Sequence, residues 1–409
     1  NYGWAGTVNH FVPLGGNDHI IGNGATVVDL KLIENTGSIE VNLSEGWARG
    51  DGIGYKTLLG VIEVQGGESN DYIVLGNTAN NYFEGYRGTL GSDTIDGGSG
   101  YDRLDYRWVD VSDEGLTIDV SQGLVTGKRD GAVDTFYRIE GFVGTMDADT
   151  FIDQGTNGYY EFEGLGGNDT VRGNGLTTVR FNLAQAGVEV DLKEGFARSL
   201  GQDEGQGDAA TVGVDTLYGV SRVYGSDYDD KLIGGSNHNN GNEVFRGGAG
   251  NDSIDGGDGW DWAQYFISST NWRITNGEVV FSVDEQGNRL GDQGITMNLA
   301  EGTVDGGELH GTDTLISIEA VVGSVGDDTF DATGFDANSA NSGSSGTRNE
   351  FEGRYGNDTI IGNGDTYISY RDAYAGVTID FAQGKAYGTD GDNTALVGTD
   401  TFENVAGAY

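Results

Sequence analysis

The residues best suited to chemistry are aspartates that close glycine-rich turns. GGSGYDRLD (97–105), GGAGNDSID (247–255) and GGDGWDWAQ (256–264) share Gly-Gly-x-Gly-x-Asp followed by x-apolar-x. GLGGNDTVR (164–172) and EGRYGNDTI (352–360) keep the Gly-x-Asp core. Such turns offer backbone carbonyls and carboxylates, hard oxygen ligands that suit calcium, whereas zinc or copper would want imidazole or thiolate. The candidate ligands are Asp18, Asp93, Asp102, Asp169, Asp252, Asp261 and Asp358, with Asp258 and Asp365 beside them. Asp71, Asp149, Asp230 and Asp328 form a second set ahead of the Phe-Gly elements. The apolar residue two places after the aspartate, such as Leu104 or Ile254, is expected to enter the core. A single Gly-Asp turn could simply cap a hairpin, but the recurrence argues for a shared ion-binding role.

Other chemistries find little support. Cysteine is absent, which excludes disulfides, a thiol nucleophile and cysteine-ligated metals. The four histidines, His10, His19, His238 and His310, are scattered, and neither H-E-x-x-H nor G-x-S-x-G occurs. Tyr101, Arg103, Tyr106, Arg107 and Trp108 could serve a polysaccharide-modifying enzyme, but the reading is that the chain is not an enzyme. Its formal net charge of −43 would repel a compact body unless cations compensate. That charge also disfavours nucleic acid, and no apolar run is long enough to span a membrane as a helix.

The elements that must position these turns recur in fixed order. After each turn comes an alternating strand: SIEVNL 38–43, LTIDV 116–120, VEVDL 188–192, ITMNL 295–299, VTIDF 377–381. A segment with a polar start and an apolar run follows: KTLLGVIEVQG 56–66, DTFYRIEGFVG 134–144, DTLYGVSRVYG 215–225, DTLISIEAVVG 313–323, DTFENVAG 400–407. A Phe-Gly element then leads to the next turn: YFEG 82–85, EFEG 161–164, VFRG 244–247, EFEG 350–353. The short alternating runs predict strands, and the glycines allow the sharp reversals between them. The expected organisation is one continuous β-solenoid of five cassettes, near 1–66, 67–144, 145–225, 226–323 and 324–409. Insertions are expected near 266–290 and 336–349. No regular array of short residues such as threonine is evident across the cassettes.

These nonapeptides resemble the hemolysin-type calcium-binding repeats of the RTX (repeats-in-toxin) family, and the longer landmarks resemble its extended bacterial surface or secreted cassettes. The resemblance implies an all-β, right-handed parallel β-roll with several calcium ions in its turns, and an extracellular protein. It is diluted at GNGATVVDL (22–30) and GNGLTTVRF (173–181), which lack the final aspartate. The expected function is a calcium-stabilised filament, surface-layer or adhesin-stalk subunit. Its partners would be other copies stacked head to tail, or neighbouring repeats of a longer chain. Aromatics follow the turns at Tyr101, Tyr106, Trp108, Trp260, Trp262, Tyr265, Phe266, Trp272, Tyr367, Tyr370 and Tyr374. Packed inside they are core; exposed, they favour the alternative of a calcium-dependent carbohydrate-binding module or a non-catalytic region of a secreted enzyme. Both ends fall inside cassettes, and the aromatic opening NYGWAG favours assembly.

Overall fold

Three-residue strands such as Thr117–Asp119, Thr150–Ile152 and Ser253–Asp255 each bury their central apolar side chain and leave the flanking pair nearer solvent. Period-two alternation makes this the natural use of T-I-D, T-F-I and S-I-D. In the computed structural model, the described residues are 9–13, 15–31, 37–77, 83–112, 114–200, 212–235, 242–266, 272–275, 278–281, 294–343, 346–373, 376–389 and 397–409. Strand dominates, and the one helix among the described residues is the single turn Gly307–His310. None of the described helices is long and apolar enough to cross a membrane.

Contacts divide the chain into two compact units, residues 1–180 with 203–220, and residues 181–202 with 221–409. In the first unit, one stack runs in parallel from Tyr72–Asn77 to Thr94–Ser99 to Asp134–Tyr137. A second parallel stack joins Phe83–Arg87, Tyr101–Asp105, Gly141–Val143 and Glu161–Glu163. Phenylalanines from both stacks interdigitate as Phe136, Phe142, Phe151 and Phe162, with ring centroids 5.0, 5.6 and 5.1 Å apart. Burying each ring contributes about 1.5–3 kcal/mol. The second unit repeats the plan, with Lys231–Ile233, Ser253–Asp255 and Thr312–Ile316 in one stack. Val244–Arg246, Trp262–Gln264, Ala320–Val322 and Asn349–Glu352 form the other.

The sheet is mixed rather than purely parallel. In each cassette the alternating strand folds back as a hairpin: Ile39–Asn42 on Trp47–Gly50, Thr117–Asp119 on Leu124–Thr126, Val188–Asp191 on Phe196–Ser199, Thr296–Asn298 on Thr303–Asp305, and Val377–Asp380 on Lys385–Gly388. The cause is local. An Asn or Asp carboxamide or carboxylate oxygen accepts the backbone N–H three residues on (Asn42–Glu45, Asp119–Gln122, Asp191–Glu194, Asn298–Glu301, Asp380–Gln383). The next residue is glycine at φ between 63° and 77° in all five (Gly46, Gly123, Gly195, Gly302, Gly384), a backbone that glycine adopts without steric cost.

Threonines form short ladders: Thr117, Thr150 and Thr170 lie in register, as do Thr296, Thr329, Thr359 and Thr401. The same place is held by Tyr72, Glu189, Lys231 and Ser253 elsewhere, so the ladders do not join into a regular array across the cassettes. Residues 336–343 form turns and are anchored, since the buried Asn341 exchanges two hydrogen bonds with the backbone of Ile318 (2.8 and 2.9 Å). Most of 266–290, the opening NYGWAG, His238, Tyr374 and the Trp272 side chain lie outside the described residues.

Candidate metal centre

Each Asp-Thr strand begins with a carboxylate turned inward beneath the preceding rung. In the first unit, the backbone N–H of Asp71 donates to Asp93 Oδ1 (2.9 Å) and that of Asp93 to Asp134 Oδ1 (2.8 Å). The same column forms from Asp149 through Asp169 to Asp215, at 2.8 and 2.9 Å. In the second unit it forms from Asp230 through Asp252 to Asp313 and from Asp328 through Asp358 to Asp400, at 2.8–3.0 Å. All twelve aspartates are buried. The two sets of candidates therefore belong to one kind of column: Asp71, Asp149, Asp230 and Asp328 open it, and Asp93, Asp169, Asp252 and Asp358 stand in the middle.

In the opening aspartates and in Asp169, Asp252 and Asp358, the glycine five residues earlier makes room for the carboxylate. A Cβ on Gly164, Gly247 or Gly353 would sit 1.7, 1.8 or 1.7 Å from Oδ2 of Asp169, Asp252 or Asp358. In the opening aspartates a donor fills that space: Gly67, Thr145, Ser226 and Ser324 each give a backbone N–H to Oδ2 of Asp71, Asp149, Asp230 and Asp328. In three middle aspartates nothing does. Oδ2 of Asp169, Asp252 and Asp358 is buried without a hydrogen-bond partner, while the Tyr265 hydroxyl faces the Asp313 carboxylate.

A second column lies in the other stack. Asp102 N–H donates to Glu140 Oε2 (3.0 Å), and both Asp102 carboxylate oxygens are buried without a hydrogen bond, as is Glu84 Oε2. Glu243 N–H donates to Asp261 Oδ1 (2.7 Å) and Asp261 N–H to Glu319 Oε2 (2.8 Å), leaving Asp261 Oδ2 and Glu243 Oε2 without partners. A family model described as RTX calcium-binding nonapeptide repeat (4 copies) matches residues 86–105, 239–262 and 345–366. The chain carries RTX calcium-binding repeats. No curated protein matches the chain. RTX repeats are non-catalytic structural modules, and of the candidate ligands the matched segments contain Asp93, Asp102, Asp252, Asp258, Asp261, Asp358 and Asp365.

The electrostatics of the columns follow from burial. Asp252 is pushed up to about 9 by burial, then by the charges of Asp313 and Asp230. Asp102 is likewise raised to about 9 by burial, then by Glu84 and Glu140, and Glu84 to about 7 by burial. Burial also raises Asp169 and Asp358, with the charges of Asp215 and Asp149 adding at the first and those of Asp328 and Asp400 at the second. Asp71, Asp149 and Asp230 rise only to about 6, because the backbone donors described above oppose burial. A buried carboxylate with no partner must keep its proton or gain a cation. The donor set is carboxylate oxygen beside glycine-turn backbone, which fits calcium. Among the described residues no three acidic or histidine side chains converge on one point. A calcium ion would therefore take its remaining ligands from turn carbonyls.

Some candidates lie apart from these columns. Asp258 is exposed at its turn, and Asp365 accepts the Thr347 hydroxyl (2.9 Å). Asp18 meets the ammonium of Lys56. His19 is exposed and bonded to Thr57, while His310 is buried with Nδ1 3.2 Å from the Gly248 carbonyl. Of the weighed aromatics, Tyr106 and Tyr265 are core, Trp108 is exposed, and Tyr101, Trp260, Trp262, Phe266, Tyr367 and Tyr370 are half-buried. Asp134, Asp215, Asp313 and Asp400 were not among the sequence candidates, nor were Glu84 and Glu243.

Proposed function

We propose that this chain is a calcium-stabilised extracellular structural protein, a filament, surface-layer or adhesin-stalk subunit. The observation that carries the reading is the set of buried carboxylate oxygens without donors at Asp102, Asp169, Asp252, Asp261 and Asp358. Calcium would sit against these aspartates, with Asp71, Asp149, Asp230 and Asp328 supporting the middle rungs through their backbone N–H groups. Asp18, Asp93, Asp258 and Asp365 are weaker candidates on the contacts described above. Binding would then supply folding free energy, and calcium is scarce inside cells and abundant outside. On this reading the strand stacks are coils of a right-handed β-roll, and the five cassettes make one continuous body.

Assembly belongs to the same reading: stacked rungs of a repeat body can continue into neighbouring repeats or into another copy of the chain. The test is size analysis and electron microscopy of the purified chain in EDTA and in millimolar calcium. Calcium-dependent folding followed by unbranched head-to-tail polymers is expected. A chain that folds equally well in EDTA contradicts the calcium reading, and calcium-loaded single particles contradict assembly.

A further inference from the structure

Two lysines are wholly buried against aspartates, Lys128 in a column and Lys56 beside Asp18. Lys128 donates to Asp134 Oδ1 (2.5 Å) and to the Gly91 carbonyl (2.7 Å), and its Nζ lies 3.7 Å from Asp93 Oδ2. The remaining oxygens of this column are served by tyrosines: Tyr86 donates to Asp93 Oδ2 (2.9 Å) and Tyr106 to Asp134 Oδ2 (2.8 Å). Neither Asp93 nor Asp134 has an oxygen left without a partner, in contrast to Asp252, which holds the place of Asp93 in the second unit. Lys56 stands in an aspartate's own slot. It follows Gly54 by two residues as Asp215 follows Gly213, Asp313 follows Gly311 and Asp400 follows Gly398. Each of these glycines packs over the carbonyl of the corresponding glycine one rung away (Gly16, Gly167, Gly250, Gly356). Lys56 Nζ bonds Asp18 and the Gly16 carbonyl (2.7 Å).

We propose that Lys128 is a tethered cation that takes the place of calcium in the Asp71–Asp93–Asp134 column, and that Lys56 does the same beside Asp18. The proposal rests on the calcium reading for the other columns. An ammonium offers three donors, enough for a carbonyl and two carboxylates. It also carries its charge on the chain, so this part of the first unit folds without waiting for the ion. Other buried aspartates, such as Asp252 and Asp313, have no such group.

The test compares the unaltered chain with K128M by equilibrium dialysis against calcium chloride and by thermal melts. K128M is expected to bind one more calcium per chain, to lose about 10 °C of Tm in EDTA, and to recover most of it in millimolar calcium. K128M/D134N, which removes both charges, is expected to gain no site. Unchanged stoichiometry in K128M, or a gained site in the double variant, overturns the proposal. Amide exchange on the unaltered chain in EDTA keeps the test open if K128M does not fold. Segments 93–96 and 134–137 should stay protected while 252–255 and 313–316 open; equal opening overturns the proposal. An unaltered chain that binds no calcium overturns the calcium reading itself, a distinguishable result.

Discussion

The same turn position is built in two ways along the chain. At Gly97–Asp102 and Gly256–Asp261 the turn ends in an aspartate with at least one unpartnered buried oxygen. At Gly22–Thr26, Gly173–Thr177 and Gly362–Thr366 it ends in a buried threonine that closes the turn itself. The threonine hydroxyl accepts the backbone N–H of Asn23, Asn174 and Asn363 at 3.2, 3.1 and 3.1 Å. The asparagine side chain in turn accepts the N–H of Leu176 (2.7 Å) or Asp365 (2.9 Å). The opening glycines are equivalent, since a Cβ on Gly97, Gly256, Gly22, Gly173 or Gly362 would strike a backbone carbonyl 2.0–2.4 Å away, at Arg138, Ser317, Gly60, Gly219 or Asn404. Each of these five partners has positive φ. The backbone scaffold is shared; one polar residue decides whether the turn needs an ion.

Withdrawing calcium should break this comparison open. A site held at about a thousandfold its Kd contributes about 4 kcal/mol, and several sites empty together. Melts followed by circular dichroism in EDTA and in calcium should differ by about 20 °C or more. Next in size is D102N with D261N. In calcium the pair of substitutions should cost about 2–4 kcal/mol through lost ligands. In EDTA it should stabilise by about 1–3 kcal/mol, because asparagine folds without the proton uptake that a buried carboxyl of raised pKa requires. Denaturant midpoints in both buffers check this reversal of sign.

The pH dependence in EDTA sharpens the same point. Asp102 and Asp252 keep their protons up to about 9 in the folded chain but lose them near the ordinary carboxylate value when unfolded. The metal-free fold therefore binds more protons than the unfolded chain between about pH 4 and 9. Its stability should fall as pH rises through that window, by at most about 1.4 kcal/mol per unit for each group. In calcium, which competes with those protons, the slope should flatten or reverse. The smallest effect belongs to T177V. It removes the bond from Thr177 Oγ1 to Asp153 Oδ2 (2.8 Å) and should cost about 1–2 kcal/mol, equally with and without calcium.

The turn aspartates and the inward placement of Leu104 and Ile254 were legible because both lie within one short motif. So was the departure of the two GNG segments. The columns were not, because they run across the chain: Asp93 meets Asp134 from 41 residues away and Asp252 meets Asp313 from 61. The Asp-Thr pairs at 134, 215, 313 and 400 stood in the quoted repeats but were read as strand openings. A glycine five residues before Asp71, Asp149, Asp230 and Asp328 would have joined them to the main set. The hairpins carried their own signal, an Asn or Asp followed three and four residues later by Glu or Gln and Gly. Lys56 hid in K-T-L, where the other cassettes read D-T.

Residue-resolved amide exchange, with and without calcium, tests the central claim most directly. Segments 97–102 and 256–261 should gain protection on adding calcium, while 173–177 and 362–366 should exchange at rates that calcium leaves unchanged once the fold has formed. A uniform response of both kinds of turn, or none in either, would contradict the account.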